Sequence, residues 1–281
     1  MMLARRVNVC TYESPLQYTD ENSDVNGYSE AMFSWLESDA SADFINTAPT
    51  NTVCVDFEQT TVANQGRWRA VGSVQALAEA NGNAVMDCIV IDHFYEQDAG
   101  NRIALDFNTP FDLVFVGRTT VDFIGNFVMF AKWEEAGPQQ GMYIMMNAQT
   151  NLVTIRMANE TTAAIEVTWP ANWATANHAM RITYDGSNAA AGLTLYFDRN
   201  ELTPTVVQDN PDSSIDNTEI AGWGGADSLP SLFPAAASWL GYWHCFYLRT
   251  LAPGAPSNLN IAPDLWSRWF RYFSTRYAIR S

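Results

Sequence analysis

Any chemistry done by this chain has to start from its carboxylates, histidines and cysteines, and their spacing offers little. Asp56 and Glu58 stand two apart, so on a strand both point to one face. Glycoside hydrolysis needs two such acids, but no E-x-D-x-x-E or E-x-D-x-E strand of the glucanase kind is present. His93, His178 and His244 lie far apart, and neither a G-x-S-x-G elbow nor a G-x-x-x-x-G-K-[ST] phosphate loop occurs. Lys132 is the only lysine, which leaves phosphate chemistry few tools. Cys10, Cys54, Cys88 and Cys245 form no C-x-x-C pair and read as reduced thiols, the last three within apolar strands. These residues predict no catalytic site and no cofactor.

The aromatic residues allow a different chemistry. An exposed indole can stack on the apolar face of a sugar ring while nearby Asp and Asn side chains take its hydroxyls. Trp173, Trp223 and Trp239 are the candidates, with Trp169 and Trp243 beside them, and the loops from 207 to 240 are rich in Asp and Asn. Each of these indoles taken singly is equally at home in a core.

The elements that must position such groups read as strands. The 281 residues are 47% hydrophobic and include 10 Trp, 15 Phe and 11 Tyr, enough for a sizeable core. Strand-like runs begin near residue 50: Thr52–Phe57, Ala84–Phe94, Arg102–Phe107, Phe111–Arg118, Asn126–Trp133, Gly141–Met146, Leu152–Met157 and Ala164–Trp169. A hairpin follows, Met180–Tyr184 and Leu193–Phe197, turned by Asp185-Gly186 and closed by Asp198-Arg199-Asn200. Glu219–Trp223 and Tyr242–Arg249 complete the series. Short strands at even spacing, with no helix–strand alternation, predict an all-β sandwich or barrel.

Two ends flank this body. Residues 1–48 read as an N-terminal arm, with either a short helix over Ser29–Leu36 or a solvated loop holding one helical turn. Residues 254–281 read as a Pro/Gly/Ala linker and a C-terminal helix. Trp266, Trp269, Phe270, Phe273 and Tyr277 share one face of it, with Arg268, Arg271, Arg276 and Arg280 on or near the opposite flank. Such a helix packs on its own sandwich, docks on a neighbouring acidic subunit, or lies at a membrane surface. The interface candidates are Trp266, Arg268, Trp269, Phe270, Arg271, Phe273 and Tyr277.

Three phrases, Phe127–Asn159, His178–Leu202 and Glu219–Arg249, in this order resemble the concanavalin A-like, laminin-G-like jelly rolls. The resemblance runs over about residues 100–253 of a sandwich spanning 49–253, and implies a jelly-roll β-sandwich with an N-terminal arm and a short C-terminal helix. It departs from the family at Arg199, where a glycine is usual, and at Trp243-His244-Cys245, which replaces an acidic pair. Some members bind calcium at a rim; the matching acids here are Asp185 and Asp198, both also turn residues.

The net charge of −16 comes from 31 acidic against 15 basic residues, and repels nucleic acid. No apolar run reaches the length of a membrane span, and MMLARRVNVC is not a convincing signal peptide. Domains of the resembled kind occur in tailed-phage particles. The leading expectation is therefore a non-enzymatic virion protein, a head decoration, fibre or tail-associated subunit made in a host cytoplasm. Its partners would be other virion proteins or copies of itself, with surface glycans as further partners. The alternative is a carbohydrate-binding, lectin-like module. A glycoside hydrolase ranks third.

Overall fold

A computed structural model describes backbone and side chains for residues 105–119, 125–134, 139–147, 149–159, 163–173, 176–212 and 214–225. It adds residues 266, 267, 270, 271, 273, 274 and 279, side chains at 241, 244, 246, 248 and 250, and backbone strands elsewhere. The chain is an all-β sandwich of two antiparallel sheets.

The first sheet, A, is built around β17 (Gly241–Thr250). On one side β17 pairs with β7 (Phe111–Thr119), which leads outward to β12 (His178–Tyr184), β13 (Leu193–Phe197) and β14 (Asn200–Leu202). On the other side β17 divides its partners. Its first residues pair with β5 (Ala84–Cys88), itself beside β4 (Gln75–Ala78), and its later ones with β1 (Met32–Glu37). The second sheet, B, runs β15 (Thr205–Asp209), β11 (Ala163–Pro170), β10 (Leu152–Asn159), β9 (Gln140–Asn147), β8 (Asn126–Glu134), β16 (Gly222–Trp223), β6 (Phe94–Gln97), β3 (Arg67–Val71), β2 (Val53–Val55).

Alternation along the strands builds the core between the sheets. Phe111, Leu113 and Phe115 of β7 and Met180, Ile182 and Tyr184 of β12 face Met142, Ile144 and Met146 of β9 and Val153, Ile155 and Met157 of β10. Trp223 spans the layers. Its indole meets Phe130 of its own sheet at 5.0 Å and stacks on Phe246 of sheet A at 4.2 Å. The core is closed at one end by a cluster of Trp173, Phe115, Phe197 and His178.

Several expectations change. Residues 32–36 of the expected Ser29–Leu36 helix or turn belong to a strand, because a short apolar run suits either state and the open edge of β17 offers a full ladder. Ala84–Phe94 is not one strand: its ends belong to β5 and β6, in different sheets. Residues 105–107 are a turn rather than the end of a strand, since the Asp106 carboxylate accepts from the Phe107 and Ile215 amides. β3, β4, β14 and β15 were not expected from the pattern. The hairpin is confirmed, with Gly186 at φ 75°; at its far turn the left-handed residue is Asp198, at φ 53°, rather than Asn200. Residues 266, 267, 270, 271, 273 and 274 are helical, as expected. Among the described residues no helix is long and apolar enough to cross a membrane.

Candidate functional site

The pairing registers of sheet B place one residue from each strand in a single row across it. The row reads Val53, Arg69, Glu96, Gly222, Ala131, Tyr143, Arg156, Glu166, Gln208. Neighbours in such a row are about 4.8 Å apart. The strand neighbours of Tyr143, Arg156 and Glu166 are Met142, Ile144, Ile155, Met157, Ile165 and Val167, all core residues, so alternation aims these three side chains at the outer face.

The row is aromatic and polar from Tyr143 to Gln208. The Arg156 guanidinium donates from Nη1 to Glu166 Oε2, and both side chains are 20% exposed. Tyr143 is half-buried, and its ring meets the Trp133 indole edge-on at 5.2 Å. Burial pushes the Tyr143 phenol up to about 12; Arg156 opposes this and Glu166 adds to it. The phenol therefore stays a neutral donor and acceptor at ordinary pH. Ala131 of the row joins Val128, Trp133, Ala158 and Ala164 in a small buried cluster. Thr154, Thr168 and Met145 are partly exposed on the other side.

A polar strap holds the strand ends at this edge of the face. Ile215 is buried, and its amide and the Ser214 hydroxyl both donate to Asp106, at 3.0 and 2.7 Å. Lys132, 2% exposed, donates to Asp216 Oδ1 at 2.7 Å and to the Asn217 carbonyl at 2.9 Å. Asn217 donates to the Gln140 carbonyl, and Asn159 to the Ser214 carbonyl. The close approach needs a glycine at 141: φ is 134°, and a Cβ there would lie 2.1 Å from the Lys132 carbonyl oxygen.

The candidates picked from sequence do not assemble into this site. Trp173 and Trp223 are 1% and 0% exposed, so neither presents a face to a sugar; both serve the core, as does Trp169. Trp239 lies outside the described residues. Asp185 and Asp198 sit at opposite ends of the hairpin β12–β13 and cannot share an ion. Asp185 accepts from the Ser187 amide, while Asp198 accepts from the Ala179 amide and pairs with His178 Nδ1 at 2.8 Å. Among the described residues no three His, Cys, Asp or Glu side chains gather as a metal site.

Three of the seven C-terminal interface candidates are turned inward. Trp266, Phe270 and Phe273 are buried. The Trp266 indole donates to the Asp198 carbonyl at 2.6 Å and lies 6.2 Å from the Tyr196 ring on the outer face of sheet A. Arg199, the departure from the family glycine, places its guanidinium over Phe270 at 5.5 Å. Trp266, Phe270 and Phe273 thus belong to the packed part of the sandwich; of the rest, Arg271 is exposed, and Arg268, Trp269 and Tyr277 lie outside the described residues.

No family model matches the sequence, and no curated protein matches it either. Solved structures do match in fold. The binding domain of Paraclostridial Mosquitocidal Protein 1 superposes with a TM-score of 0.51 at 11% identity, covering 88% of this chain and 52% of that one. The botulinum neurotoxin serotype D binding domain gives 0.50 at 9% identity, covering 85% and 52%. The carbohydrate-binding module CBM40 of the Ruminococcus gnavus IT-sialidase, bound to α2,3-sialyllactose, gives 0.37 at 11% identity over 50% and 74%, too slight a likeness to carry over any property. The chain spans about half the length of the toxin binding domains, 52% of each, and is similar to them in its jelly-roll-like β-sandwich fold.

Proposed function

We propose that this chain is a non-enzymatic binding module that holds a glycan on the outer face of sheet B. The observation that carries the reading is the row Tyr143, Arg156, Glu166, Gln208, a ring and a set of fixed hydrogen-bonding groups on a partly open sheet. A sugar ring offers an apolar face and a rim of hydroxyls, which such a row can take together. The span from Tyr143 to Gln208 is about 14 Å at ordinary strand spacing, room for more than one sugar ring. Two solved structures of similar fold, with TM-scores of 0.51 and 0.50, are named as binding domains, which fits a module that recognises rather than transforms. Against hydrolysis, Glu166 faces a guanidinium and not the second carboxyl group a glycosidase requires.

A glycan microarray with the full chain, followed by calorimetry on Tyr143→Ala and Arg156→Ala, tests this. Loss of binding in both variants with unchanged melting supports it; equal binding by both sinks it. A virion subunit is the second reading, since a glycan-binding face is also what a particle needs to reach a cell surface. Its expected docking stripe is engaged within the chain at Trp266, Phe270 and Phe273, so its support passes to the glycan face.

A further inference from the structure

Resting on the glycan reading, we infer that the sheet B row selects uncharged saccharides and rejects acidic ones. The described arginine of the row, Arg156, stands opposite Glu166 in register, and the two are in direct contact. A sugar carboxylate or sulfate would have to approach a guanidinium whose charge is already neutralised, beside a carboxylate that repels it. No lysine can help, because Lys132 is the only one and is held by Asp216 at 2.7 Å. The net charge of −16 adds a background of the same sign.

An uncharged diol meets different conditions. The guanidinium carries five N–H donors and the carboxylate two acceptor oxygens. One Nη1 donor and Oε2 are spent on each other, which locks the two groups side by side. The remaining donors and Oε1 then form an adjacent donor edge and acceptor edge, and two neighbouring hydroxyls, each able to give and to take a proton, match both. Tyr143 lies on the next strand as the ring platform.

The experiment compares neutral trisaccharides with the same glycans carrying a terminal uronate, by microarray and calorimetry, at low and at physiological salt. The expected result is binding of neutral members, with their uronate forms at least tenfold weaker. Glu166→Gln frees the Arg156 charge and should narrow or reverse that ratio. Arg156→Gln should weaken neutral binding without improving the acidic forms, and stands in should Glu166→Gln fail to fold. Uronate forms bound by the wild type as tightly as neutral ones, or a ratio unmoved by Glu166→Gln, would overturn the charge selection while leaving the glycan reading intact. Binding of neither class would overturn the glycan reading itself.

Discussion

The two outer faces of the sandwich carry the same chemistry under opposite conditions. Sheet A aligns Val114, Arg181, Tyr196 and Glu201 across β7, β12, β13 and β14, with Asp112 gripping Arg181 through two hydrogen bonds of 2.9 and 2.8 Å. Sheet B aligns Tyr143, Arg156 and Glu166. In the first the ion pair is sealed, Arg181 at 2% and Asp112 at 0% exposure; in the second each partner is 20% exposed. Arginine, acid and tyrosine in a sheet row therefore do not define a role. A pair cut off from water is structural and costly to break, while one left half open can exchange its partners.

The largest way to break this contrast is to remove residues 264–281. Trp266, Phe270 and Phe273 are each nearly fully buried, so their loss should cost on the order of 6 kcal/mol. Urea unfolding checks it, and an unchanged midpoint would mean the segment is no part of sheet A's cover. Next, Asp112→Ala strands a buried guanidinium and should cost about 3–5 kcal/mol, with a melting temperature lowered accordingly.

Alkaline pH probes one tyrosine in the core and one on the sheet B face. Burial is the main cause raising both Tyr184 and Tyr143 to about 12. Tyr184 is fully buried, packs on Phe111 at 5.5 Å and donates to the Phe107 carbonyl at 2.6 Å. Between about pH 10 and 12 the unfolded chain gives up these protons while the folded chain keeps them, so stability falls as pH rises, by on the order of 2 kcal/mol for Tyr184. Tyrosinate absorbance followed against pH should show these two rings ionising together with unfolding; early ionisation of Tyr184 would contradict its sealed site. The smallest effect is expected for Arg156→Ala, below about 1 kcal/mol in the same unfolding assay. A cost equal to that of Asp112→Ala would erase the distinction between the faces.

Local pattern was enough to read the strands that later proved central. β7 to β13 announce themselves by alternation and by turn residues such as Asp185-Gly186, and their bounds shift by only a residue or two. That same alternation already points Tyr143, Arg156 and Glu166 away from the core. Their meeting in one row depends on register between strands, which no single strand encodes, whereas the indoles stand out in the sequence by residue type alone. Trp173 and Trp223 illustrate why: a large aromatic in a sandwich gains most by burial, and sequence alone does not say which rings are left outside. Met32–Glu37 shows the other limit, a short apolar run whose state is decided by a partner strand about two hundred residues away.

That distant partner has a consequence for how the molecule is made. β17 is the last described strand to leave a ribosome, yet it lies between β7 on one side and β5 and β1 on the other. Until it arrives, half of sheet A can be only two separate fragments with open edges. Long-range closure of this kind slows folding and leaves unpaired strands exposed while synthesis continues. A chain stopped before Gly241 would therefore be expected to aggregate rather than to form a smaller sandwich.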